Sequence, residues 1–186
     1  MVLKLKRFGS FMFILFLAIF VYLYIASQMQ TKKQPVSLPT GLNPMVKAAT
    51  NQLIQQTAKK GITVVITDGF RSAEDQDQLY KKGRTAGGTI VTYAKGGESF
   101  HNYGLAVDFA LKTPSANVIW DRNYDGNQNG LPDWDEVVAI AKGLGFQWGG
   151  DWPQFKDYPH LQMDFGLTLA DLQNGQRPPG SSLTSK

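Results

Sequence analysis

Ser99-Phe100-His101-Asn102-Tyr103-Gly104-Leu105-Ala106-Val107-Asp108-Phe109-Ala110-Leu111 is the stretch on which the reading of this chain turns. Its second half alternates, with Leu105, Val107, Phe109 and Leu111 on one face and Ala106, Asp108 and Ala110 on the other. A period of two marks a strand with one face on a core, so residues 105–111 are expected to be a strand carrying a lone acid between two alanines. His101 sits on the loop entering that strand, and Gly104 lets the chain fold back between His101 and Asp108. Residues 160–165 alternate in the same way, with Leu161, Met163 and Phe165 apolar and His160, Gln162 and Asp164 polar. If the two strands lie side by side, His101, Asp108 and His160 form a two-imidazole, one-carboxylate set with an open fourth position, the layout of a catalytic zinc site. Asp164 shares a face with His160 and is the rival ligand. Asp157 precedes His160 by three residues, with Pro159 stiffening the turn, and is placed to act as a general base on metal-activated water.

Outward from these strands the signals alternate between helix and strand. Asn43 caps a helix with Pro44 at its first position, an apolar stripe through Val46, Ala49, Leu53 and Ile54, and Gly61 as its stop. Residues 62–67 are rich in β-branched side chains and read as a buried strand. Ser72 caps a helix over residues 73–82, and the Gly-rich stretch 84–98 reads as loop, with a short hairpin around residues 90–93. A helix over 134–144, a short strand at 146–148 and a helical turn at 168–174 complete the domain, and a Pro/Gly/Ser tail from 176 to 186 is expected to be disordered.

The N-terminus is of another kind. Residues 8–31 carry no charge, and the fifteen from Phe11 to Ile25 are all apolar, which predicts a transmembrane or signal helix. The nearest small residues, Ile25-Ala26-Ser27, match a cleavage site poorly, so an uncleaved anchor is favoured, with Lys4, Lys6 and Arg7 inside and the rest of the chain outside the cytoplasm, or secreted if the segment is removed. The expected organisation is a membrane segment at 1–30, a linker at 31–40, a domain at 41–175 and the tail. The formal charge of +4 is an effect of this terminus: without its five basic residues, fourteen remain against fifteen acids, and nucleic acid is not an expected partner. The absence of cysteine excludes thiolate metal sites and cysteine nucleophiles, so any metal is held by His, Asp or Glu.

The pattern Ser-x-His-x-x-Gly-x-Ala-x-Asp at 99–108, followed by Asp-x-x-His at 157–160, resembles the zinc-dependent peptidoglycan peptidases of the D-alanyl-D-alanine carboxypeptidase and L-alanyl-D-glutamate endopeptidase group. Gly69-Phe70-Arg71-Ser72 with Gln76, and Trp148-Gly149-Gly150-Asp151-Trp152, bring it nearest to the Bacillus-type endopeptidases. The resemblance covers residues 41–175. It implies an α+β fold with a small antiparallel sheet flanked by helices and the zinc site on the sheet. It implies one zinc ion on His101, Asp108 and His160, Asp157 as base, and Arg71 polarising the scissile carbonyl. Ser99, Asp151 and Trp152 become substrate contacts. The implied activity is hydrolysis of the L-Ala-D-Glu bond of the peptidoglycan stem, and the protein is expected to be a monomer. The alternatives are a D,D-carboxypeptidase and a non-catalytic wall-binding module. Some relatives carry an acid two residues after the final His, where this chain has Gln162, which leaves the role of that position open.

A second motif, Asp125-Gly126-Asn127-Gln128-Asn129-Gly130-Leu131-Pro132-Asp133-Trp134-Asp135-Glu136, fits the D-x-[DN]-x-[DN]-G-x5-E calcium loop. A structural calcium ion on Asp125, Asn127, Asn129, Asp133 and Glu136 is one expectation. The other is an ordinary turn leading into a helix capped by Asp133 and Glu136.

Overall fold

The computed structural model describes residues 16–25 and 38–181. The chain divides into two units, Met1–Val36 and Ser37–Lys186. In the first, residues 16–25 are helical (α1). Among the described residues no helix is long and apolar enough to cross a membrane, which corrects the expected transmembrane helix. The rest of residues 8–31 lies outside the described residues.

The second unit is α+β, with a small antiparallel sheet and helices. α2 (Pro44–Ala58) starts where expected: the Asn43 side chain accepts from Met45 N, and Pro44 occupies the first turn. β1 (Val64–Asp68) follows, then α3 (Ala73–Lys81), whose N-cap Ser72 accepts from Asp75 N. The stretch from 84 to 98 forms no hairpin. A bridge between Lys82 and Ala86 closes its start, and the Thr92 hydroxyl and the Ala94 carbonyl engage Gln76 on α3.

β2 (Ala106–Lys112) is the central strand, paired with β1 on one side and β5 (His160–Gln162) on the other. β4 (Gln147–Trp148) extends the sheet beyond β5, and the two-residue β3 (Val118–Ile119) pairs with the end of β2. All pairings are antiparallel, in the order β1-β2-β5-β4. β5 stops at Gln162 rather than 165, because Phe165 adopts φ +53° and Asp164 accepts from Gly166 N in a turn. α4 (Asp133–Gly143) begins after Pro132, which makes no side-chain cap, so the Asp133–Glu136 capping box does not form. α5 (Leu169–Gln173) carries a capping box between Thr168 and Asp171.

The Leu105, Val107, Phe109 and Leu111 face of β2 is buried beneath Val46 and Leu53 of α2 and Trp134 and Val137 of α4. Phe109 and Trp134 meet with ring centroids 4.4 Å apart. Burial of each such side chain stabilises the fold by about 1.5–3 kcal/mol. The polar face, bearing Asp108, is left free for chemistry. Residues 176–181, expected as disordered tail, are seated: Asn43 Nδ2 donates to Pro179 O at 3.1 Å, and Arg177 lies over the Tyr103 ring.

Candidate active site

Sheet register builds the site. Asp108 pairs with His160 across β2–β5 and with Asp68 across β1–β2, where a bulge between Ile66 and Asp68 shifts the register. Three polar residues from three strands therefore stand in one row. His101 reaches this row from a 3-10 turn, Phe100–Tyr103, capped by Ser99, whose hydroxyl accepts from His101 N. Gly104 closes the turn at φ +67°, and a Cβ there would lie 2.2 Å from Gly41 O, so both backbone angle and space demand glycine.

His101, Asp108 and His160 each offer one ligand atom within 4.8 Å of the others. Asp108 Oδ1 lies 3.4 Å from His101 Nε2 and 3.3 Å from His160 Nδ1, yet is buried without a hydrogen-bond partner. An orphaned carboxylate oxygen facing two ring nitrogens is what a cation would satisfy, so these residues fit a metal ion. Burial works to raise the Asp108 pKa, but the two histidines outweigh it and hold the carboxyl well below its usual range. For His160, burial favours the neutral ring, and Asp108 overcomes this and raises its pKa. His101 Nδ1 is 2.6 Å from Gly69 O, a backbone acceptor that leaves Nε2 for the metal side.

Asp157 is held beside the cluster by Gly149, where a Cβ would lie 2.4 Å from Asp157 O and 3.1 Å from His160 Cβ. Burial raises its pKa, and it also feels the charges of His160, Asp108, His101 and Arg71. Arg71 is clamped: one guanidinium nitrogen donates to Asp68 and another to Gln76 Oε1 at 2.7 Å. Its backbone is tied to the histidine turn by Arg71 N to His101 O at 3.2 Å and by Asn102 Nδ2 to Arg71 O at 2.9 Å.

The remaining expected residues divide. Trp152 stands over the site, its ring 5.1 Å from that of His160. Asp151 is not brought to the cluster. It pairs with Lys142 at 2.7 Å and is 55% exposed. Asp164 is not a ligand either, since it accepts from the Gln147 amide and from Gly166 N. The structure does not support the calcium expectation. Glu136 Oε1 receives Lys60 at 2.8 Å and Oε2 receives the Asn127 and Asn129 amides, while Asp125 accepts from Asn129 N and Gly130 N. A lysine ammonium supplies the cation there. Sequence reasoning missed Asn102, a fully buried residue of the histidine turn whose amide ties that turn to Arg71 and Ser72, although its place inside the motif was a signal.

Comparison with known proteins agrees with this geometry. Residues 92–163 match the family described as D-alanyl-D-alanine carboxypeptidase. The chain is 57% identical over 152 residues to the peptidoglycan L-alanyl-D-glutamate endopeptidase CwlK of Bacillus subtilis strain 168, covering 81% of this chain and 91% of that protein. It is 34% identical over 119 residues to the L-alanyl-D-glutamate peptidase of Listeria phage A118, covering 64% of this chain and 37% of the phage protein. The fold is similar to that of the L,D-carboxypeptidase DacB from Streptococcus pneumonia, at 20% identity, 76% coverage of each chain and TM-score 0.50. With the paired motifs of two histidines and an aspartate folded into one cluster, and identity of this extent along most of its length, the chain belongs to the peptidoglycan peptidase family that unites D-alanyl-D-alanine carboxypeptidases with L-alanyl-D-glutamate endopeptidases.

Proposed function

We propose that this protein is a zinc metallopeptidase that hydrolyses the L-Ala-D-Glu bond of peptidoglycan stem peptides. The substrate reading is carried by the 57% identity to an L-alanyl-D-glutamate endopeptidase, and the chemistry by the orphaned Asp108 oxygen between two histidines. His101 through Nε2, His160 through Nδ1 and Asp108 would hold the ion. Zinc, when bound, supplies a Lewis acid and a water acidic enough to ionise near neutral pH.

The chain's own residues do the rest. Asp157 takes a proton from the attacking water and delivers it to the leaving D-Glu nitrogen, so that water is added across the amide and no proton is lost to bulk. The raised pKa of Asp157 suits a group that must both accept and return a proton. Arg71, fixed by Asp68 and Gln76, presents a guanidinium whose orientation is set before substrate arrives, and it stabilises the oxyanion developing on the L-Ala carbonyl. Trp152 packs against the His160 ring and forms one wall of the site. Ser99, already used as the cap of the histidine turn, has one hydroxyl proton left to offer the substrate. The substrate is a polymer of the wall, so the enzyme works outside the cytoplasm.

The D,D-carboxypeptidase reading draws on the description of the matched family. A stem peptide carrying both bonds separates the two. Incubated with the zinc-loaded protein, it should yield a fragment with a new D-Glu amine by mass spectrometry. Loss of a single terminal D-Ala would select the carboxypeptidase, and an intact peptide would contradict both.

A further inference from the structure

Behind His160 a line of polar side chains runs along one face of the sheet toward the surface, and hydrolysis as described uses only the first of them. His160 Nε2 lies 3.0 Å from Gln162 Oε1, Gln162 Nε2 donates to Gln147 Oε1 at 3.3 Å, and the Gln147 amide donates to Asp164 Oδ2. Strand register makes the line possible. His160 and Gln162 are two apart on β5, and Gln147 is directly opposite Gln162 on β4. On the other side Gln162 faces Ala106 of β2, whose small side chain leaves it room. Gln162 is only 6% exposed, so both ends of its amide must find partners inside the protein.

The two ends of the line set its direction. A carboxylate only accepts, so Asp164 draws the NH2 group of Gln147 and turns the Gln147 carbonyl toward Gln162. Gln162 must then give its own NH2 to Gln147 and its carbonyl to His160. A carbonyl can only accept, so His160 carries its proton on Nε2 and presents the Nδ1 lone pair toward Asp108 and His101.

We propose that Gln162, Gln147 and Asp164 are positioning residues that fix the tautomer and ring orientation of His160 for metal binding. The polarity comes from a surface carboxylate, conducted through two amides. This answers what stands at the position where some relatives carry an acid: a neutral carbonyl does the accepting, and the negative charge is kept two side chains away from the ion. The proposal rests on the zinc reading of the His101, Asp108 and His160 cluster.

The test uses the full-length protein and three variants, Gln162→Leu, Gln162→Glu and Asp164→Asn, with zinc affinity measured by chelator competition. Two further readouts separate positioning from general damage: the melting temperature of the metal-free protein, and the downfield proton resonance of His160 Nε2–H in the zinc-loaded protein. Gln162→Leu should weaken zinc binding by about tenfold to a hundredfold and lose that resonance to solvent exchange. Gln162→Glu restores an acceptor and should retain both. Asp164→Asn, at the partly exposed end, should weaken zinc binding in the same direction by less and leave the metal-free melting temperature unchanged. Gln162→Leu and Asp164→Asn proteins that bind zinc as tightly as the wild type and keep the resonance would overturn the proposal. Wild-type protein that takes up no zinc would overturn the metal reading itself, a result distinct from tight binding that ignores the relay.

Discussion

Arg71 owes its usefulness to being a fork rather than a point charge, since one nitrogen is held by Asp68 and another by Gln76. Arg71→Lys keeps the charge but loses this two-point clamp, so kcat should fall by about a hundredfold or more while zinc content, measured by atomic emission, stays the same. Unchanged kcat would reduce Arg71 to a structural ion pair. At this scale the sequence was most legible where function needs particular atoms: His101, Asp108, His160, Asp157 and Arg71 come from short motifs, and the fold places all five in one region. Asp151 was not legible, because adjacency to Trp152 says nothing of which way a carboxylate points, and Lys142 from α4 claims it. Gln76 and Gln162 show the converse. An amide acquires a role only from partners brought to it by tertiary structure, here Arg71 and Thr92 for one and His160 and Gln147 for the other.

Between residue and fold, one turn carries the site and one loop is held by an ion pair of its own. Gly104→Ala must accept a positive φ and push against Gly41 O, which costs about 1–3 kcal/mol in backbone strain alone. The variant should melt lower and bind zinc more weakly, because the same turn carries His101; unchanged zinc affinity in calorimetry would disconnect the turn from the site. The 125–136 loop is the second case. The hydrogen bond from Lys60 lowers the Glu136 pKa, and with help from Asn127 and Asn129 it prevails over burial. A carboxyl whose pKa is depressed on folding contributes stability above its unfolded pKa, and that contribution is lost as pH falls through the folded value. Glu136→Gln should therefore cost about 1 kcal/mol at neutral pH, with Lys60 half in solvent, and the gap to wild type should close in acid. A gap that stays constant in thermal melts across that range would contradict the ion-pair account. Alternation foretold β2 and β5 because their side chains face a core on one side only. The two residues of β3 carry no such pattern and are strand only because the end of β2 offers them hydrogen bonds.

For the molecule as a whole, core, sheet and candidate site all lie within Ser37–Lys186. A fragment of those residues should fold cooperatively and show the melting temperature and kcat of the full chain; loss of activity in it would give the first 36 residues a part in the site. The succession of helices and strands was legible because their periods differ, and the α+β class came with the family resemblance, whereas hydropathy at the N-terminus predicted a spanning helix and no helix among the described residues is long and apolar enough to be one. The central claim is that one cluster on the sheet, with Asp157 as its base, cuts the L-Ala-D-Glu bond. Its most direct test is mass spectrometry of purified peptidoglycan digested by wild type and by Asp157→Asn, each first shown to hold one zinc ion per chain. New D-Glu amino termini released by the wild type and absent with the loaded variant are the predicted result. Equal release by both proteins, or a wild type that leaves this bond intact, would contradict the account.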